Sequence, residues 1–156
     1  MHITIVAVGQ KLPAWAQTAV DDYLARFPRD FTVIVKEVKA EARTGGKPVA
    51  QVMAAEAERI ERAVPAGDIL VAMDEHGHDM TTVDFSKKIS GWKNEGCGVT
   101  FIIGGADGLD PALKAKSRMM LRLSSMTLPH AFARVLLTEQ IYRAWSILAN
   151  HPYHRV

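Results

Sequence analysis

Cysteine is almost absent from this chain. Cys97 stands alone, which excludes an intrachain disulfide and any cysteine-based zinc cluster. It lies between Gly96 and Gly98 at the mouth of an expected strand, a setting for a turn or buried thiol rather than a nucleophile. Long apolar runs are missing as well. None approaches the span of a bilayer, and no basic-then-apolar leader opens the sequence. The expectation is a soluble, cytoplasmic protein with no membrane partner. Acidic residues are missing from one region: positions 111–138 contain no Asp or Glu. Residues 111–156 carry seven cations (Lys114, Lys116, Arg118, Arg122, Arg134, Arg143, Arg155) against Glu139 alone. Residues 1–110 carry twelve Lys and Arg against sixteen Asp and Glu. The net charge of +2 thus hides a basic end on a mildly acidic body. That distribution fits a polyanion partner, with dipole compensation and solubility as the plainer explanation.

What is present is an ordinary globular balance, 48% apolar and 23% charged, in 156 residues. That is one domain, 1–156, large enough to bury a core. His2 to Val8 is apolar on both alternations, which predicts a central strand covered on both faces. Leu12, Trp15, Ala16, Ala19, Val20, Tyr23, Leu24 and Phe27 follow helical spacing and predict a helix over 12–27. Phe31 to Val38 reads as a second strand, with Lys36 marking an exposed edge. Residues 40–47 form a basic glycine-bearing loop, able to close over an anion but more simply a connection. A helix follows from Val49 to Ala63, then a short strand over 68–73.

Asp74-Glu75-His76-Gly77-His78-Asp79 reads as a solvated strand-to-helix loop, with a metal site as a lesser alternative. A helix over 82–93 and a strand over 99–103 come next. Strand and helix alternate, so the chain predicts an α/β fold, a mostly parallel sheet of about five or six strands with helices on both faces. Ligands of such sheets bind beyond the carboxyl ends of the strands.

Gly104, Gly105 and Gly108 follow such an end and let backbone amides approach a ligand. Asp110 and Pro111 are the expected N-cap and first residue of the next helix. The spacing is neither G-x-G-x-x-G nor a P-loop. The acid that a dinucleotide fold places about 20 positions on to hold a ribose is missing. These facts oppose a nicotinamide or flavin cofactor. Met119 to Leu123 reads as a fifth strand, and Ser124 to Leu128 as a polar turn able to cradle a neutral ring such as adenine. His130 falls in the first turn of a helix over 130–149, where the helix dipole disfavours imidazolium and leaves a neutral ring able to take a proton. That helix is apolar around most of its circumference, broken by Glu139, Arg143, Ser146 and Asn150. Such burial predicts a subunit interface, with Trp15 on a second helix as another candidate for it. Pro152 stops the helix, and His151, Tyr153, His154 and Arg155 project beyond it.

These residues resemble one family along the whole chain. Val6-Ala-Val-Gly9, Tyr23-Leu24 with Arg26-Phe-Pro28, Ile102-Ile-Gly-Gly105 with Gly108-Leu109, and Leu128-Pro-His130 carry the likeness. So do Tyr142-Arg-Ala-Trp-Ser-Ile147 and Asn150-His-Pro-Tyr-His-Arg155, the last being highly specific. The chain is similar to the bacterial 23S rRNA pseudouridine N3-methyltransferases of the SPOUT class. Met73 stands where that family often has Leu, and Ala106-Asp107 where a Pro-Glu pair is common. The resemblance implies a C-terminal deep trefoil knot, a homodimer, and S-adenosylmethionine bound in the knot. Carried over by motif, the cofactor touches Met73, Gly104, Gly105, Ser124, Ser125, Met126, Thr127, Leu128 and Pro129. The resemblance implies that the tail, His151, Tyr153, His154 and Arg155, reaches the active site of the other subunit; the expected catalytic set joins His130, near the transfer site, to Tyr153, His154 and Arg155 of that tail. The implied substrate is a pseudouridine of a large-subunit RNA hairpin in the assembled ribosome. A non-enzymatic RNA- or ribosome-binding protein is the competing expectation. A metal hydrolase using His76, His78 and Asp79 is a more distant one.

Overall fold

Strand β1 (His2–Val8) is buried on both faces because its side chains alternate between two cores. Ile3, Ile5 and Ala7 face one of them, Val6 and Val8 the other. The computed structural model describes residues 1–9 and 11–155. In it β1 pairs in parallel with β2 (Thr32–Val38) on one side and β4 (Val99–Ile103) on the other. β3 (Ile69–His78) and β5 (Met119–Leu121) complete a five-stranded parallel sheet in the order β2-β1-β4-β3-β5. β4 is buried along its full length; its one polar residue, Thr100, donates to Asp68 at 2.7 Å.

Helices cover both faces. α1 (Ala14–Leu24), α3 (Thr82–Asn94) and α5 (His130–Leu148) share one side, α5 packing against both α1 and α3. On that side Phe85, Ile89, Trp92, Leu137, Ile141 and Ala144 meet Ile5 and Phe101 of the sheet. α2 (Val49–Ala63) and α4 (Pro111–Lys116) lie on the other, where Ala57, Ile60 and Leu113 pack on Val6, Ala72 and Ile102. Asp110 caps α4 as expected, its carboxylate accepting from the amide of Ala112.

Parts of the chain depart from the sequence reading. α1 is shorter than 12–27, because Pro13 takes the cap position and the chain turns after Leu24. β5 ends at Leu121, two residues early. The run after Met73 is strand rather than loop: β3 continues to His78, with a register irregularity between Met73 and His78 against Leu121 of β5. Gly77 makes that possible, since a Cβ there would lie 2.7 Å from the Leu121 nitrogen and 2.8 Å from the Met120 carbonyl carbon. The tail does not project freely. Asn150 ends α5 in the left-handed region (φ 53°), and the amide of His151 donates back to the Ser146 carbonyl. In the single chain Phe132, Leu136 and Leu148 of α5 are exposed, and Phe132 packs 4.9 Å from Trp15, itself exposed, so the chain does not itself cover the face expected at a subunit interface.

Candidate active site

The carboxyl ends of β3, β4 and β5 open into a cavity of about 600 Å³. Its floor is the turn after β4. A Cβ on Gly104 would stand 2.6 Å from the Gly108 carbonyl carbon, so only glycine lets the turn close; the Gly108 amide donates to the Gly105 carbonyl at 3.0 Å. Met73, Gly104, Gly105, Ser124, Met126, Thr127, Leu128 and His130 all line the cavity. Ser125 and Pro129 belong to the same run without lining it: Pro129 is the cap residue of α5, and Ser125 is exposed on the turn. Ser124 shapes that turn by accepting the Met126 amide at 2.9 Å.

His130 stands at the start of α5 with its ring against Gly9, whose missing Cβ would have lain 3.3 Å from Cε1. Its Nε2 is buried and has no hydrogen-bond partner among the described residues. Burial pushes its pKa below the ordinary 6.5, the Arg134 guanidinium pushes it further, and Glu37 opposes both. The ring is therefore neutral at pH 7. Arg134 lies one turn along the helix and is only 2% exposed. Glu37 is 3.4 Å from it, and its three nitrogens make no hydrogen bond among the described residues. In the sequence this cation stands only as one charge of the basic end. Its place on the inward side of an apolar helix was the signal of its burial.

Two further ionic features escaped the sequence reading. Asp74, the first residue of the β3 irregularity, lines the cavity and pairs with Lys114 of α4 at 2.9 Å. Asp107 in the glycine turn pairs with Arg43 at 2.6 Å, tying the 40–47 segment to the cavity floor. Lys47 is held by Glu41 at 3.1 Å, so both of that loop's cations are already engaged. Asp79 binds Arg122 through two contacts of 2.6 and 2.7 Å. Among the described residues no group of three or more His, Cys, Asp or Glu is placed to hold a metal.

The tail packs on its own chain, away from its own cavity. Tyr153 donates to Glu139 at 3.1 Å and lies 3.0 Å from the Tyr23 hydroxyl. Its pKa is pushed far up, by burial first and then by Tyr23 and Glu139. It stays protonated at neutral pH and acts as a donor. Arg143 pairs with Glu139 at 2.7 Å and covers the Tyr153 ring at 4.9 Å. His154 Nδ1 is 3.3 Å from the Ser146 hydroxyl, and Arg155 is exposed. None of Tyr153, His154 and Arg155 lines the cavity of the chain that carries them.

A family model described as predicted SPOUT methyltransferase matches residues 1–154. The chain belongs to the SPOUT methyltransferase family. A relative from Ralstonia pickettii (strain 12J), named ribosomal RNA large subunit methyltransferase H, is 53% identical over 156 residues, covering all of both chains. One of the same name from Bordetella avium (strain 197N) is 54% identical over 155 residues, 99% of each. Among solved structures, a probable methylase family protein of Haemophilus influenzae Rd KW20 superposes with a TM-score of 0.59 at 12% identity. It covers 99% of this chain and 70% of the other. A putative methylase family protein of Neisseria gonorrhoeae gives 0.55 at 14% identity, covering 99% and 95%. These two likenesses concern the fold. As a SPOUT methyltransferase the protein is an enzyme, and the expectation of a non-enzymatic RNA-binding module is set aside. Among the described residues no helix of this SPOUT methyltransferase is long and apolar enough to cross a membrane.

Proposed function

We propose that this enzyme transfers the methyl group of S-adenosylmethionine to N3 of a pseudouridine in 23S rRNA, acting on assembled ribosomes as a homodimer. The observation that carries the reading is the meeting, in one cavity, of a glycine-built floor, the 124–128 turn and a neutral, half-buried His130. The printed name of the full-length relatives supports a ribosomal RNA substrate. The basic C-terminal quarter supports a polyanion.

The cavity suits a nucleoside-sized ligand in volume and in its mixture of apolar walls and backbone polar groups. Met73, Gly104, Gly105 and the run 124–129 would hold the cofactor, which supplies an electrophilic methyl on a good leaving group. The protein's part is alignment and handling of the imide proton. His130 lines the cavity with its Nε2 buried and unpartnered, and a neutral ring there would accept a hydrogen bond or a proton. The tail residues Tyr153, His154 and Arg155 would serve a second subunit's cavity, Tyr153 by anchoring the tail and Arg155 by presenting a guanidinium to the RNA or the developing imide anion. The Tyr23–Tyr153–Glu139 contacts support this, because they fix the tail on its own α1 and α5 and leave Arg155 outward. The exposed Trp15, Phe132 and Leu136 supply an apolar face for the second copy. The threading of the C-terminal part into a trefoil knot belongs to the same proposal.

Methylation of purified ribosomes and of free ribosomal RNA, with the product nucleoside identified by mass spectrometry, tests it. N3-methylpseudouridine formed on ribosomes is expected. A different nucleoside, or equal activity on free RNA, would overturn the substrate assignment.

A further inference from the structure

Most charged groups at the cavity are tied to partners outside it. Arg122 is turned to Asp79, and Asp107 to Arg43. Glu75 and His76 contact each other at 3.4 Å, but both are more than half exposed at the rim. Asp74 and Lys114 differ: both members line the cavity, and their side chains are only 12% and 30% exposed. The β3 irregularity places Asp74 there, and Gly77 closes that irregularity against the β5 backbone. The fold thus gives up a regular ladder to hold one carboxylate beside one ammonium.

Burial alone would raise the Asp74 pKa. The His76 amide at 2.7 Å and the Lys114 ammonium at 2.9 Å outweigh it and keep the carboxylate ionised. Each oxygen accepts one bond and retains acceptor capacity; the ammonium has three donors and spends one on Asp74. A bound group carrying its own ammonium and carboxylate would complete both.

We propose that Asp74 and Lys114 together bind the amino-acid end of S-adenosylmethionine, Asp74 accepting from its ammonium and Lys114 donating to its carboxylate. The inference rests on reading the cavity as the cofactor site. It separates two tasks: the 124–129 run and the glycine floor take the adenosine, and the α4–β3 pair takes the methionine end.

Titration calorimetry on the full-length protein tests this with S-adenosylmethionine, S-adenosylhomocysteine and 5′-methylthioadenosine. The last keeps the adenosine and thioether but lacks the amino acid. Lys114→Met and Asp74→Asn are each expected to weaken the first two ligands roughly tenfold to a hundredfold. Binding of 5′-methylthioadenosine stays within about twofold, which also shows that the variant is folded. Lys114→Gln keeps a hydrogen bond to Asp74 and is expected to show the same selective loss if Lys114→Met does not fold. Equal weakening of all three ligands, or unchanged binding of the first two, would overturn the inference. Loss confined to S-adenosylmethionine would place Asp74 at the sulfonium and overturn it as well. Wild-type protein that bound none of the three would overturn the cofactor reading of the cavity itself.

Discussion

At His130, burial and a neighbouring cation act in the same direction. The folded-state pKa lies below 6.5, so the unfolded chain binds this proton first as the pH falls. The native state therefore loses stability as pH drops through about 6.5 toward the folded pKa, and loses no more on this account below it. A His130→Asn variant lacks that decline, and chemical denaturation of both proteins between about pH 5 and 8 measures the difference. Arg134 makes a second prediction. Its charge is buried without hydrogen bonds among the described residues, an arrangement that costs stability unless it serves the site. Because Glu37 keeps access to solvent, Arg134→Met is expected to leave stability unchanged or raise it. The same change removes the cation that depresses His130, so the acid limb of single-turnover methylation moves to higher pH. Stopped-time assays across pH, beside thermal melts, check both halves.

Among the elements, β3 is where local pattern and tertiary structure part. Asp74 to His78 has the polarity and the glycine of a loop, and alternation alone cannot tell a solvated loop from an irregular strand held by its neighbour. The β5 backbone decides it by pairing Leu121 with both Met73 and His78. A Gly77→Ala change would drive a Cβ into the backbone of Met120 and Leu121. Destabilisation of about 1–3 kcal/mol follows, with weaker cofactor binding as Asp74 shifts. Urea denaturation and calorimetry measure the two effects, and a neutral result on both would remove the irregularity from the site. The elements that the sequence placed correctly were legible because their signals are local. Strand runs buried on two faces, the Asp110-Pro111 start of α4 and the glycines after β4 need no distant partner to be recognised.

For the whole molecule, the issue is that the tail and the cavity of one chain do not meet. A shared site in a dimer resolves this and makes a sharp prediction. A chain ending at Asn150 should bind S-adenosylmethionine normally and not turn over, and His130→Ala should be inactive for a different reason. Mixing the two restores activity, because the mixed dimer joins an intact cavity from one copy to an intact tail from the other. Re-equilibrated mixtures that stay as inactive as their components would exclude a site shared in this way.

Periodicity and turn chemistry in the sequence determined the α/β order, the parallel sheet with helices on both faces, the glycine floor and the polar turn. Each depends on residues near one another in the chain. Which charges face each other was decided only in three dimensions. Asp74 meets Lys114, Arg43 meets Asp107, and Tyr153 meets Tyr23 across separations no local pattern records. The burial that neutralises His130 is of the same kind. It comes with the packing of the His130 ring against Gly9 at the end of β1, and desolvation is a property of the packed surroundings rather than of the residue.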